Sequence, residues 1–425
     1  MRNSKKAFFF FFLIMGEASV FAQDTALTIE RCYALARDNY PLIRKQELIT
    51  RGKEYTVQNV SRLFLPRLTM SGQASYQSET IDFSAALPNL PGNSFPELSK
   101  DQYRIQADID QVIYDGGTAK FRKASANIQA SIQQQYLELS LYKLRERVTE
   151  TYFAILLIEE QSKQNELRSA DLREALAKTE GAYDNGTAYK SNVDELKAEL
   201  VGIRMTAIEL GATNKSYRKM LALLTGRENP DSLRLVMPEQ KFGEAVIRRA
   251  ELKLYEWQQR ALDIREKHLK SVYTPRISGF AQAAYGQPTL NFIEDRFGPW
   301  FMGGIRLKWA LGSLYTLKND RDLLTVERQM TDINEEVFLF DTRLTLAGQQ
   351  EEINKYRDLI KQDDEAIVLR RSVKVAAEAQ LENGVITAHD FIVQVNAENR
   401  ARQMKILHSI QLLQAMYKYL NTSGN

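Results

Sequence analysis

The side chains that could carry acid–base or metal chemistry are few and widely separated in this chain. The three histidines are His268, His389 and His408, and no spacing of His or Cys in the sequence suits a metal ion. His389 and Asp390 are neighbours, but an acid–base pair also needs a nucleophile and a pocket, and the sequence signals neither. We therefore predict that the protein is not an enzyme and that it holds no metal and no cofactor.

Two further motifs have simple structural interpretations. Asp115-Gly116-Gly117 lacks the Lys-Ser or Lys-Thr that follows a phosphate-binding loop, so it is typical of a turn from a strand into a helix. Cys32 is the only cysteine, so no disulfide can form within one chain. No small-residue lipobox surrounds Cys32, and we expect that it carries no lipid and lies buried in a helix.

The N-terminal residues have the pattern of a secretion signal. Basic residues precede an apolar run at 8–15, and Val20-Phe21-Ala22 supplies a cleavage position, so residues 1–22 are predicted to be a signal peptide. The formal net charge of +3 falls to about +1 without them, which argues against a nucleic-acid partner. No later apolar run approaches the roughly 20 residues of a membrane-spanning helix. A membrane location would therefore depend on strands.

The chain repeats a strand-like pattern at a constant offset of 209 residues. The matching residues are Pro66-Arg67-Leu68 with Pro275-Arg276-Ile277, Gln73-Ala74 with Gln282-Ala283, and Tyr76 with Tyr285. Self-similarity at this length indicates a duplicated, domain-sized element. We predict a first repeat at 23–236 and a second at 237–425, each containing a helix, two strands and a long helical hairpin.

Each repeat contains a long segment with a helical pattern. Between Thr118 and Glu180 there is neither Gly nor Pro, and apolar residues recur at spacings of three and four. Such a helix would be about 95 Å long and would need partner helices, because one helix buries only a stripe. The segments end at Asn-Gly pairs near 186 and 384. Asn-Gly could equally mark a β-hairpin, but the helical flanks favour tips of helical hairpins.

Four segments alternate between apolar and polar residues. They are predicted as strands at about 66–80, 101–114, 275–286 and 299–310. A soluble sheet with one buried face is the alternative. The signal peptide, the aromatic residues at the strand ends and the polar, turn-rich loops at 87–93 and 286–288 favour a transmembrane barrel. Four strands are below the minimum of about eight, so several chains must share one barrel, and the lumen-facing Arg, Asp and Gln favour three chains.

With these residues in view, the chain resembles the TolC-like outer membrane efflux protein family over about residues 24–420. The resemblance rests on the duplicated helix–strand–strand–helix order, the Pro-Arg strand starts, the segment 112–117 and the two glycine-containing tips. It implies a mixed α + β membrane protein: a homotrimer whose four strands per chain form one transmembrane β-barrel among outer membrane lipids, continued by a long α-helical tunnel in the periplasm.

The resemblance also implies a function. Such a protein would be the outer membrane channel, or exit duct, of a tripartite efflux or type I secretion system. Transport through it would be passive and driven by an inner membrane transporter, to which a periplasmic adaptor connects it. A periplasmic coiled-coil adaptor of the same kind of system is the alternative, although an adaptor needs a β-rich domain that is stable in water. Neither the exported substrate nor the class of pump follows from the sequence.

The resemblance places the functional residues at the helical tips. Contacts to the adaptor are expected at Asn185, Gly186, Asn383 and Gly384, with Asp184 and Glu382 as further polar contacts. Asp390 lies six residues after Gly384, where family members can carry an acid that rings the periplasmic entrance. Three such carboxylates near one axis would attract cations and disfavour anions. The alternative is that Asp390 is an ordinary carboxylate at a helix start.

Two positions differ from the family pattern. Val393 stands where a second acid is found, and Ile386 stands where a gating arginine is found. Closure of the entrance is therefore expected to depend on other contacts, with the apolar pair Val385 and Ile386 as candidates. In the first repeat the nearest acid is Asp194, eight residues after Gly186, so the sequence predicts a longer turn there.

Overall fold

The computed structural model describes residues 26–81, 98–240, 246–291 and 294–425. In these residues the chain forms seven α-helices and one sheet of four strands. In chain order they are α1 Ile29–Asn39, α2 Lys45–Arg62, β1 Arg67–Tyr76, β2 Asp101–Tyr114, α3 Thr118–Asp184, α4 Lys190–Thr225, α5 Ala250–Val272, β3 Arg276–Gln287, β4 Gly298–Lys308, α6 Leu317–Glu382 and α7 Ala388–Ser423. The predicted signal peptide and the predicted loop at 87–93 lie outside the described residues.

The strand ends differ in detail from the sequence-based prediction. The first strand ends at Tyr76 rather than near residue 80. Gln77 still donates its backbone N–H to the Lys100 carbonyl at 2.9 Å, after which the chain bends away at Ser78. Polar residues continue the alternation for a few positions, but they pair with no strand in the part of the chain that the structure describes.

The chain divides into two compact units. Among the described residues, the tip unit comprises 26–39, 147–240 and 355–414, and the strand unit comprises 40–81, 98–146, 246–291, 294–354 and 415–425. The tip unit contains the two turns that join α3 to α4 and α6 to α7. The strand unit contains the sheet together with α2, α5 and the adjoining parts of the long helices.

The sheet of the strand unit is antiparallel and has the order β1-β2-β3-β4. Its register aligns apolar side chains across the strands, for example Ala107 with Ala283 and Ala283 with Phe301. The apolar side chains lie on a surface that is exposed in the single chain, and Phe301 is 85% exposed. This arrangement is the opposite of a soluble sheet, in which the apolar face is the buried one.

The other face of the sheet is polar and its side chains contact one another. The amides of Gln106 and Gln282 both donate to Asp108 Oδ1 at 2.6 Å. Arg104 donates to Gln73 Oε1 at 3.0 Å across the β1–β2 pair. A polar face of this kind suits contact with water, whereas the apolar face suits contact with lipid.

The Asp115-Gly116-Gly117 motif joins β2 to α3, as its sequence suggested. The Asp115 carboxylate accepts the backbone N–H groups of Gly117 at 2.9 Å and Ala119 at 2.5 Å, so it caps the start of α3. Gly116 has a φ of +72°, and a Cβ there would lie 2.2 Å from Thr274 Oγ1. The motif therefore serves the turn between strand and helix.

The tip unit has a helical core to which the N-terminal segment is tied. The Leu27 backbone N–H donates to the Arg234 carbonyl at 2.6 Å. The Tyr152 hydroxyl lies 2.8 Å from the Leu27 carbonyl oxygen and 2.6 Å from the Val236 carbonyl oxygen, so it can donate its one proton to either. Cys32 in α1 is buried, and this burial raises the pKa of its thiol to about 12. The thiol is therefore unreactive at neutral pH.

Among the described residues, every helix is too short or too polar to cross a bilayer.

Candidate functional site at the two helical turns

The two turns of the tip unit have the same hydrogen bonds. In the first, Gly186 donates to the Tyr183 carbonyl at 2.9 Å and Thr187 to the Ala182 carbonyl at 2.8 Å. In the second, the equivalent bonds from Gly384 and Val385 measure 3.0 and 2.8 Å. This pair of bonds is the Schellman motif that ends many helices. It needs a left-handed residue, and the two glycines have φ of +75° and +68°.

The asparagines before the glycines strengthen both turns. Asn185 Nδ2 donates to the Gly181 carbonyl at 2.8 Å, and Asn383 Nδ2 donates to the Ala379 carbonyl at 2.7 Å. Each side-chain amide thus adds a second hydrogen bond to a carbonyl in the last turn of its own helix, since that carbonyl also accepts the backbone N–H of the same asparagine at 3.2 Å. The Asn-Gly pairs are helix ends here, and helices lie on both sides of each turn.

The prediction that the first turn is longer is wrong. Both return helices begin four residues after the glycine, α4 at Lys190 and α7 at Ala388. The first-turn residue that corresponds to Asp390 is therefore Asn192, six residues after Gly186. Asp194 lies two residues further along α4 and is exposed. The nearest acid in sequence is consequently not the equivalent acid in structure.

Asp390 takes part in a capping box at the start of α7. Its Oδ2 accepts the Thr387 backbone N–H at 3.1 Å and the Thr387 hydroxyl at 2.6 Å, while the Asp390 N–H donates to Thr387 Oγ1 at 3.2 Å. These hydrogen bonds from the Thr387 side chain and backbone lower the pKa of the exposed Asp390 carboxyl below its ordinary value. The carboxylate is thus ionised at neutral pH and held in one orientation.

Ion pairs connect the two hairpins near their turns. Lys178 of α3 lies 2.7 Å from Glu382 and 3.2 Å from Glu378 of α6, and 3.1 Å from Glu174 in its own helix. Hydrogen bonds to Glu382, Glu174 and Glu378 raise the pKa of Lys178. His389 Nδ1 contacts Glu195 Oε1 of α4 at 2.7 Å. Exposed pairs of this kind contribute less than about 1 kcal/mol each, so they orient the hairpins more than they stabilise them.

The apolar pair after the second turn is divided between core and solvent. Ile386 packs against a buried cluster that includes Leu172, Leu196 and Phe391. Val385 is 70% exposed. The two residues therefore have different roles, although the sequence presents them as a pair.

Replacing Ile386 with serine should lower the free energy of unfolding of the tip unit by about 1–2 kcal/mol, because it removes apolar packing from a partly buried site. Val385→Ser is the matched control, and its exposed side chain predicts a change within about 0.5 kcal/mol. Thermal unfolding followed by circular dichroism would compare them. An equal loss of stability in both variants would contradict the packing described here.

A groove of about 760 Å³ lies between the two turns. It is lined by both hairpins, and its lining residues include Lys178, Tyr189, Glu382 and Val385. Asn383 and Gly384 also line it, whereas Asn185, Gly186, Asp194 and Asp390 are not among its lining residues. The structure thus brings the second turn and the start of α4 to one groove. The first turn's own Asn-Gly pair lies beside it.

A buried ionic network further along the hairpins was not anticipated from the sequence. Glu398 of α7 is 4% exposed and contacts Arg402 at 2.6 Å and Lys374 of α6 at 3.3 Å. Lys374 also lies 2.6 Å from Asp171 of α3. Only the i,i+4 spacing of Glu398 and Arg402 is visible in the sequence. The contacts between helices depend on how the helices pack.

The described residues contain no group of three or more His, Cys, Asp or Glu that could hold a metal ion. The polar groups at the turns cap helices and pair with one another. The arrangement offers exposed backbone, charge and a groove, which are the properties of a contact surface.

The fold is that of solved outer membrane channels. The MtrE outer membrane channel of Neisseria gonorrhoeae, solved in its open state, is 12% identical with a TM-score of 0.66, and the match covers 93% of this chain and 89% of that one. The CmeC channel of Campylobacter jejuni is 11% identical with a TM-score of 0.64, covering 93% and 85%. VceC of Vibrio cholerae is 12% identical with a TM-score of 0.59, covering 93% and 96%.

At these identities the similarity shows the fold alone. It confirms, at that level, the resemblance to TolC-like channels drawn from the sequence. No protein-family model matches the chain, and no curated protein matches it by sequence.

Proposed function

We propose that this chain is the outer membrane channel of a tripartite efflux or type I secretion system, and that it conducts passively while a partner pump supplies energy. The observation that carries the proposal is the sheet with one exposed apolar face and one polar face. Its strands are 10, 14, 12 and 11 residues long, enough for the roughly 9–11 residues that a tilted strand needs to cross a bilayer. The function of the structural neighbours supports the proposal.

Closure of the sheet requires more than one copy. The first and last strands, β1 and β4, each pair with a single neighbour among the described residues. Strands in a bilayer cannot leave an open edge, so β4 of one copy would pair with β1 of the next. Because β1 and β4 run in opposite directions, that pairing is antiparallel. Three copies would give a barrel of twelve strands with room for water.

A stripe of exposed apolar side chains on α6 supports association between copies. Its members recur at alternating spacings of three and four: Leu323, Val326, Met330, Ile333, Val337, Phe340 and Leu344. This is the spacing of a coiled-coil seam, which needs a facing helix. We propose that a neighbouring copy covers it in a homotrimer.

The proposed partners of the tip unit are a periplasmic adaptor and, through it, an inner membrane transporter. The groove between the turns of the tip unit is the surface that we assign to the adaptor. Asn383 and Gly384 contribute to it directly, and Asn185 and Gly186 lie beside it. The alternative, that this chain is itself an adaptor, is not favoured, because an apolar sheet face exposed to water would aggregate.

Asp390 remains our candidate for an acidic ring at the periplasmic entrance, with Asp194 no longer its counterpart. Val385 is a better candidate than Ile386 for an apolar constriction, because its side chain is exposed. Three copies would bring three of each residue towards one axis.

Asp390→Asn should raise the permeability to anions relative to cations and weaken block by multivalent cations. The amide oxygen can still accept a hydrogen bond from Thr387, so the change removes charge with little effect on the cap. Reversal potentials in planar bilayers would measure it. The matched variant Asn192→Asp, at the equivalent position of the first turn, should shift selectivity towards cations. Unchanged selectivity for Asp390→Asn would place the constriction elsewhere.

A further inference from the structure

Basic residues concentrate where the strands meet the helices of the strand unit. We call residues 61–68, 114–124, 266–276 and 308–322 the junction segments. They contain eleven Lys or Arg and four Asp or Glu. The basic residues are Arg62, Arg67, Lys120, Arg122, Lys123, Lys267, Lys270, Arg276, Lys308, Lys318 and Arg321. The acidic residues are Asp115, Glu266, Asp320 and Asp322. Their net charge is about +7, whereas the whole chain has a formal net charge of +3.

The basic side chains of the junction segments are available for a partner. All of them except Lys123 are exposed, and none forms an ion pair with a described residue. Two of the acids are already engaged, since Asp115 caps α3 and Glu266 lies 3.1 Å from Arg328. Burial and the charges of Arg122 and Arg276 lower the pKa of His268, which is consistent with a positive potential there.

Exposed apolar and aromatic side chains lie between the strands and these basic residues. After β4 the exposed large apolar and aromatic residues are Trp309, Leu311, Leu314 and Tyr315, and Tyr315 is 90% exposed. Trp309 donates its Nε1–H to the Tyr273 carbonyl at 3.0 Å. The order from apolar strand to aromatic ring to basic residue is that of a membrane–water interface. Lys318 and Arg321 lie within two turns of Tyr315 along the chain.

The opposite ends of the strands have the opposite charge. The described residues there, 77–81, 98–101, 288–291 and 294–297, contain four Asp or Glu and two Lys or Arg, a net charge of about −2. The strand ends next to the helices are therefore basic, and the opposite strand ends are acidic. In a membrane, the two ends would lie at different surfaces.

We propose that the junction segments bind the headgroups of anionic phospholipids in the membrane leaflet that faces the helices. This inference rests on the proposed outer membrane function. Basic residues close to a membrane surface attract anionic lipids, and each changes the partition of lipid by about fivefold. Three of them, Arg67, Arg276 and Lys308, lie on the polar face of the strands. The other eight lie on helices, and we choose the pairs Lys267 with Lys270 and Lys318 with Arg321 for the test.

The test measures lipid binding to the full detergent-solubilised chain. Native mass spectrometry would count phosphatidylglycerol and phosphatidylcholine bound to the wild type and to the double variant Lys318→Gln/Arg321→Gln. We expect the wild type to prefer phosphatidylglycerol and the double variant to lose at least about tenfold of that binding. Lys267→Gln/Lys270→Gln should act in the same way, so the result does not depend on one variant folding correctly.

Lys215→Gln/Lys219→Gln is the matched control, since it removes two exposed basic residues from α4 of the tip unit. It should bind phosphatidylglycerol as the wild type does. Inorganic phosphate should displace the lipid no better than sodium chloride of equal ionic strength. Equal binding of the two lipids, an equal loss in the control, or specific displacement by phosphate would overturn the inference. A wild type that is trimeric and located in the outer membrane but shows no lipid preference would overturn this inference alone, whereas a water-soluble monomer would overturn the proposed function as well.

Discussion

Replacing Glu398 with alanine should lower the free energy of unfolding of the tip unit by about 3–5 kcal/mol. The carboxylate is 4% exposed and lies between Arg402 at 2.6 Å and Lys374 at 3.3 Å. Lys374 is itself largely buried and would keep only Asp171 as a partner. The loss would thus come mainly from leaving a positive charge buried without its full complement of partners. Hydrogen exchange of the amides in α6 and α7 would measure it.

The same carboxylate makes the tip unit sensitive to acid. Burial alone would raise the pKa of Glu398, but hydrogen bonds from Arg402 and the charge of Lys374 outweigh burial, and the pKa lies below its ordinary value. A group whose pKa is lowered by folding stabilises the protein fully above its unfolded pKa, about 4.3 for Glu. That contribution is lost as the pH falls through the folded value. Glu398→Ala should therefore weaken the pH dependence of stability below about pH 4.

Two variants control for this prediction. Glu209→Ala removes an exposed carboxylate from α4 and should change stability by less than about 0.5 kcal/mol. Glu398→Gln keeps the shape and one hydrogen-bond acceptor, so its cost should lie between those of the two alanine variants. If Glu398→Ala behaved like Glu209→Ala, the network would not stabilise the tip unit.

Cysteines placed on β1 and β4 should form disulfides between copies of the chain and none within a copy. The two strands are separated by β2 and β3, so they lie about 14 Å apart at roughly 4.8 Å per strand. A disulfide needs Cα atoms within about 7 Å. We propose Ser71→Cys on β1, combined in turn with Met302→Cys, Gly304→Cys or Arg306→Cys on the same face of β4. At least one combination should give covalent dimers and trimers after oxidation.

Denaturing electrophoresis without reductant would measure the cross-linking. Each single-cysteine variant should remain monomeric, because β1 of one copy would meet β4, and not β1, of the next. Cys32 will not interfere, since it is buried and its thiol pKa is about 12. If every combination stayed monomeric, the sheet would close in another way or not at all.

The faces of the strands and the existence of the long helices could be predicted from local patterns in the sequence. Alternation assigned Leu68 and Met70 to one face of β1, and the register pairs them with Ile109 and Ala107 of the apolar face. Spacings of three and four indicated the long helices that the structure contains. These periods are properties of one element, so they can be seen without knowing what packs against it.

The sequence indicated a helix start at Asp390 only as an alternative, although the capping box there is a local pattern. Thr387-Ala388-His389-Asp390 has the spacing of a capping box, which marks a helix start. Matching the turns by their acids led instead to Asp194. Matching them by helix start gives Asn192. The two glycines are 198 residues apart, whereas the strands repeat at 209, so no single offset aligns the whole chain.

The contacts between helices could not be predicted in this way. Nothing local distinguishes Ile386, which packs on the tip core, from Val385, which is exposed. The contact of Lys374 with Glu398 joins two helices that the sequence separates by a turn. Such contacts depend on how helices rotate about their axes when they pack, and the period of one helix does not determine that rotation.

The mass of the mature protein, extracted by detergent and measured by light scattering with the bound detergent subtracted, tests the central proposal most directly. We predict that the protein is recovered from the outer membrane fraction and that its mass corresponds to three chains. A monomer that dissolves in water without detergent would contradict the shared barrel and, with it, the channel.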